Sequence, residues 1–235
     1  MDVVGLEDNL SRYDIVIAPV LSMVKPGLAK RLESFVSAGG TFLTTFFSGI
    51  VNETDLVTVG GYPGELRRLL GIWVEEIDAL LPGAGNSIHV KSPFGDLRGS
   101  YACGILCDIL HCEMAEPIAV YGSDFYAGTP SVTRNRFEKG SAWYVASSPE
   151  PAFMSTLVRS LAHEKGIQPV ANVPPGVEAT RRRKGDESFL FLLNHGDKPV
   201  TAGLGNGKLT ELASGKPVKG SIQIPAKGVV ILREA

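Results

Sequence analysis

YDIVIAPVLSMVKPGLAKRLESFVSAGGTFLTTFF, residues Tyr13 to Phe47, is the stretch that decides the fold. Its opening core, Ile15-Val16-Ile17-Ala18, is continuously apolar and β-branched, the mark of a parallel strand covered on both faces. Pro26 stands where a first helical turn accepts proline. Leu28, Leu32, Phe35 and Val36 then fall at i, i+4, i+7 and i+8, a single apolar stripe. Gly39-Gly40 ends the helix as a glycine beyond the last turn does. Thr41–Phe47 is β-prone again. Strand, helix and strand in about 35 residues predict a βαβ unit with parallel strands.

Outward from this unit, SGIVNETDLVTVGGYPG, Ser48 to Gly64, is too long for a plain connection. Runs of that length are usually functional or form interfaces. It carries Ile50, Val51, Leu56, Val57, Val59 and Tyr62 and few charges. Apolar side chains on a surface loop are best buried against another subunit, so these six are the expected oligomer-interface residues. A short helix over Glu65–Leu70 and a strand over Ile72–Ile77 follow. His89–Lys91, Tyr101–Leu110, Pro117–Tyr121, Ser131–Phe137 and Ala142–Ala146 read as extended, the last two joined by a hairpin at Glu138-Lys139-Gly140 with Gly at a positive φ. Phe153, Leu157, Val158 and Leu161 mark a closing helix. Pro174-Pro175 resists helix and central strand and marks a boundary. Beyond it, Phe189–Leu193, Val200–Gly203, Lys208–Leu212, Ser221–Ile224 and Gly228–Leu232 are short strands between turn residues. The expected organisation is an α/β domain with an antiparallel extension over residues 1–170. A small antiparallel β sandwich or barrel is expected over residues 177–235.

With 23 Lys+Arg against 25 Asp+Glu and a net charge of −2, nothing favours nucleic acid or an anionic membrane as partner. No run approaches the roughly 18 apolar residues of a membrane-spanning helix. Met1-Asp2-Val3-Val4 lacks the basic and apolar regions of a signal peptide, so a cytoplasmic location is expected. Cys103, Cys107 and Cys112 are an odd number within one short stretch and cannot complete a disulfide framework. With His111 they lack the paired C-x-x-C knuckles of structural zinc. Buried thiols are the expected reading, and neither metal nor cofactor is expected.

Glycoside hydrolysis would need two carboxylates across a sugar site. Glu53, Asp55, Glu75, Glu76, Asp108 and Asp124 are candidates on spacing alone. Glu75 and Glu76, adjacent on a strand, point to opposite faces. Asp124, in Gly122-Ser123-Asp124-Phe125-Tyr126, suits a turn equally well. There is no G-x-S-x-G elbow, no Walker A sequence, and no G-x-G-x-x-G after the first strand. Gly203-Leu204-Gly205-Asn206-Gly207 lies between β segments and reads as a hairpin turn. His89, His111, His163 and His195 are scattered, and Arg181-Arg182-Arg183-Lys184 reads as a solvated strand. No residue is therefore assigned a catalytic role.

Three stretches resemble the C-terminal part of the family 42 glycoside hydrolases, the bacterial β-galactosidases. They are Tyr13 to Leu80, Tyr121 to Ser147 (YGSDFYAGTPSVTRNRFEKGSAWYVAS), and FLLNHGDKPV with IPAKGVVIL in the tail. The resemblance implies a flavodoxin-like domain, similar to class I glutamine amidotransferases, that assembles a homotrimer, followed by a small β domain. It also implies that hydrolysis of terminal β-galactosides belongs to a (β/α)₈ barrel of about 250 residues, longer than this chain. The family's catalytic glutamates and cysteine-bound metal sit on that barrel. Glu53 follows an Asn, as the family acid does, yet lies in the assembly loop and does not inherit the role. The family pattern places another strand and helix before Asp2-Val3-Val4, so the α/β domain is expected to be trimmed at its N-terminus. The expected function is therefore a non-catalytic assembly scaffold, inactive by itself, whose partners are further copies of itself and the parent's barrel. The alternatives are a free-standing amidotransferase-like enzyme with a cysteine nucleophile and a carbohydrate-binding module resting on Tyr62, Trp73, Phe125 and Tyr126.

Overall fold

A computed structural model describes residues 2–234, with the backbone alone at Asn206. The chain divides into two compact units, Met1–Ile167 and Gln168–Ala235. The first contains β1 (Ile15–Ala18), α1 (Leu28–Ser37), β2 (Thr41–Thr45), α2 (Arg67–Leu70), β3 (Ile72–Ala79), β4 (Asn86–Val90) and β5 (Ser100–Cys112). It continues with β6 (Glu116–Tyr121), β7 (Pro130–Phe137), β8 (Gly140–Val145), β9 (Ser147–Pro149) and α3 (Pro151–Glu164). One mixed sheet runs β1-β2-β8-β7-β6-β4-β5-β3, with β9 also paired to β5. β1 and β2 are parallel, Ile15 opposite Thr41, and β2 and β8 are parallel, Thr41 opposite Ser141. From β8 onward every pairing is antiparallel.

The βαβ unit forms for the reasons visible in its sequence. Leu28, Leu32, Phe35 and Val36 are buried along one face of α1. The helix is closed by Gly39 and Gly40, whose amides donate to the carbonyls of Val36 and Phe35, and Gly39 has a φ of 115° that only glycine takes without strain. All five residues of β2 are buried. β1 differs from expectation. It is the edge strand, and Ile17 is 42% exposed, because β2 covers only one of its sides. The hairpin between β7 and β8 also differs. Its positive φ is at Glu138, 51°, whereas Gly140 is needed for close approach. A Cβ there would stand 2.2 Å from the Gly40 carbonyl oxygen and 2.3 Å from that of Val36.

Trp143 and Tyr144 of β8, Phe42 and Leu43 of β2 and Phe153 of α3 are among the largest fully buried side chains. They belong to one continuous apolar core. The second unit is a five-stranded antiparallel sheet, β10 (Val177–Lys184), β11 (Glu187–Asn194), β14 (Val229–Glu234), β12 (Val200–Glu211) and β13 (Pro217–Ile224), in that spatial order. It curls over a small core that includes Leu190, Leu192, Leu209, Ile224 and Leu232. Residues Gly203 to Gly207 are not a hairpin turn. They lie inside β12, where the register against β13 slips on either side of Gly205, whose φ is 66°. Glycines there let a long strand bend without breaking.

Candidate functional site

The loop from Ser48 to Pro63 is fastened at its root and free at its tip. Ser48 is fully buried. Its Oγ accepts from the Leu21 amide at 3.0 Å and donates to the Thr45 carbonyl at 2.7 Å. The Gly49 and Ile50 amides donate to the carbonyls of Leu21 and Ser22, and the Val74 amide donates to that of Tyr62. A Cβ on Gly49, φ 69°, would meet the Pro63 carbonyl oxygen at 2.1 Å, so the two ends of the loop touch. Above this root, Asn52 Oδ1 accepts from the amides of Thr54 at 2.9 Å and Leu56 at 3.0 Å, and from the Thr54 hydroxyl at 2.8 Å.

The six residues expected at an interface divide accordingly. Ile50 is buried in its own domain, and Val51 and Tyr62 are half-buried, Tyr62 packing on the core. Leu56, Val57 and Val59 are exposed by 65%, 58% and 98%. An apolar tip on a rigid root is thus brought to the surface by three side chains, and the other three hold it in place.

Beneath the root lies a buried acid. Asp108 sits in β5 between apolar neighbours and is almost wholly inaccessible. Its Oδ2 accepts from the Phe47 amide at 3.1 Å and from the Tyr144 hydroxyl at 2.5 Å. Its Oδ1 has no partner among the described residues. Burial pushes the carboxyl up to about 6, against the pull of those two donors. Phe47 itself is left-handed, φ 58°, and turns the chain sharply from β2 into the loop.

The other candidate carboxylates find structural or solvent roles. Glu53 and Asp55 are exposed on the loop tip. Glu75 occupies a bulge of β3 and bonds His111 Nε2 at 2.6 Å, while Glu76 beside it is exposed. Asp124, φ 71°, accepts from the Phe125 amide at 2.7 Å, a turn role. All three cysteines lie on β5, Cys103 and Cys107 buried and Cys112 half-buried. Burial raises the Cys112 thiol. Among the described residues no three His, Cys, Asp or Glu side chains converge as metal ligands would. Of the aromatics, Tyr126 is buried with its hydroxyl on Asp78 at 2.7 Å, and Trp73 stacks on His111 with ring centroids 5.0 Å apart. Phe125 is exposed.

Sequence reasoning named Asp108 only as one carboxylate among six. The signal for its burial was its place in Cys107-Asp108-Ile109-Leu110, where an acid interrupts an otherwise apolar strand. The pairing of Glu75 with His111 had no such signal, because it depends on a strand bulge.

In class the chain is a mixed-sheet α/β domain followed by a small antiparallel β domain. Residues 1–168 match the family model described as the β-galactosidase trimerisation domain, and residues 176–234 match the β-galactosidase C-terminal domain. The chain belongs to the family 42 β-galactosidases as these two non-catalytic domains. It is 54% identical over 232 residues to β-galactosidase BgaP of Planococcus sp. (strain L4), covering 99% of this chain and 34% of that protein. Against β-galactosidase BglY of Alicyclobacillus acidocaldarius the identity is 41%, again over 99% of this chain and 34% of the relative. The chain therefore spans about a third of the length of the curated relatives it matches. Among solved structures, β-galactosidase from Bacillus circulans sp. alkalophilus superposes with a TM-score of 0.94 at 54% identity, over 100% of this chain and 35% of that one. β-Galactosidase from Rahnella sp. R3 does so with 0.90 at 40% identity, over 100% of this chain and 34% of that one.

Proposed function

We propose that this chain assembles a β-galactosidase into a homotrimer through the loop tip at Leu56, Val57 and Val59. The observation that carries this reading is the three exposed apolar side chains on a rigidly rooted loop. Exposed apolar area of this kind is costly on a monomer and is normally covered by a partner. Cyclic three-fold association through one loop requires heterologous contacts, the tip of one copy meeting a different patch on the next. Ile50, Val51 and Tyr62 support the tip from beneath. In this reading hydrolysis of terminal β-galactosides belongs to a barrel of the parent enzyme, and this chain contributes no catalytic group.

The parallel part of the sheet supports a flavodoxin-like, amidotransferase-like ancestry for an assembly domain over residues 1–170, with a separate β domain over residues 177–235. Among the described residues the outer side of β1 has no neighbouring strand and Ile17 is half-exposed, so that edge is open to a further partner. Three free cysteines favour a reducing, cytoplasmic setting. Replacing Val57 by Asp tests the assembly role. The variant should remain folded by circular dichroism and lose association in analytical ultracentrifugation. Unchanged association would remove the loop tip from the interface.

A further inference from the structure

We propose that Cys103 and Cys107 form a reversible intrachain disulfide, a modification site on β5 that responds to peroxide. Four residues apart on a straight strand, two Cα atoms stand about 13 Å from each other, beyond the reach of a disulfide. β5 is not straight there. Along β9, Cys103 faces Pro149, Gly104 faces Ser148 and Cys107 faces Ser147. Ile105 and Leu106 are therefore extra residues in that ladder, and Ile105 takes a left-handed φ of 67° with its side chain exposed. The bulge cuts the separation of the cysteines from four ladder positions to two. Two positions correspond to about 6.6 Å between Cα atoms, inside the upper limit of about 6.8 Å for a disulfide. The even spacing also puts both side chains on one face, and both are buried there.

The two thiols influence each other's protonation. Cys107 beside it draws the Cys103 thiol down to about 7, and Cys103 in turn raises Cys107. Cys103, which keeps 6% of its surface exposed while Cys107 keeps none, is the sulfur a peroxide reaches first, and Cys107 is the resolving one. Attack on hydrogen peroxide forms an S–O bond and breaks the O–O bond, and the departing hydroxide leaves as water with the Cys103 proton. Cys107 then displaces the sulfenic hydroxyl. The S–S bond forms, the S–O bond breaks, and a second water carries away the Cys107 proton. Two electrons pass from the thiols to the peroxide. Cys112 lies at the far end of β5, opposite Ile72, and takes no part.

The test treats the full chain with hydrogen peroxide, unfolds it in iodoacetamide and cleaves before Asp108, which separates Cys112 from the pair. The expected result is a peptide holding Cys103 and Cys107 that is two hydrogens lighter and unalkylated, while Cys112 is alkylated. Dithiothreitol should restore alkylation of all three. The Cys112→Ser variant should behave identically at the pair, and Cys107→Ser should stop at a dimedone-trapped sulfenic acid on Cys103. Full alkylation of the pair after peroxide, a bond that includes Cys112, or further oxidation of Cys103 with Cys107 still alkylated would each overturn the proposal.

Discussion

Asp108 links titration to the shape of the loop root. Its carboxyl is raised to about 6 from an ordinary value of 3.8, with burial the largest cause. A carboxyl raised in the folded state contributes stability that is complete below its ordinary range and is lost as pH rises through the folded value. Stability should therefore fall between about pH 4 and pH 6 by on the order of 2 kcal/mol from this group, and level off above that. Urea unfolding of Asp108→Asn should show that slope flattened. An unchanged slope would place the titration elsewhere. Gly140 makes a second prediction at this scale. A methyl group there meets two backbone carbonyl oxygens at 2.2 and 2.3 Å, and backbone cannot step aside as a side-chain end can. Gly140→Ala should cost on the order of 3 kcal/mol in thermal or urea unfolding, as overpacking does. The sequence marks Gly140 as special but suggests a positive φ. Its actual constraint, contact with the end of α1, arises from sheet order, which local chemistry does not encode.

At the scale of elements, periodicity carried the reading of strand and helix furthest. The stripe of α1, the glycine pair after it and the apolar runs of β1 and β2 each record a local backbone preference that packing then reinforces. What local chemistry left open was neighbourhood. β1 reads as a covered strand yet stands at an edge, and the glycines at 203 to 207 read as a turn yet lie within β12. Short β9 is too brief to show a pattern. In the Ser48–Gly64 loop the apolar composition was visible, but not its division between support and tip. That division makes a contrast testable. Leu56→Asp, on an exposed side chain, should change the unfolding free energy of the chain by no more than about 0.5 kcal/mol while weakening association. Ile50→Asp buries a charge in the domain's own core and should cost several kcal/mol, roughly the 3–5 of an uncompensated buried charge, or prevent folding. Equal effects of the two on stability would erase the distinction between root and tip.

At the scale of the whole molecule, the chain consists of the trimerisation and C-terminal domains of its family. The buried acid holds a backbone amide, and the exposed candidate acids lie on a loop tip or a strand surface. The purified chain should accordingly leave o-nitrophenyl β-galactoside unhydrolysed, and turnover lost in Glu53→Gln would reassign the loop acid to catalysis. The expectation of assembly rests chiefly on family resemblance, since apolar loop residues alone do not fix how many copies meet. Light scattering coupled to size exclusion tests that assembly most directly. One species at three times the 25.0 kDa chain mass is expected, converted to a smaller species by Val57→Asp. A monomer of 25.0 kDa at concentrations of tens of micromolar would contradict it.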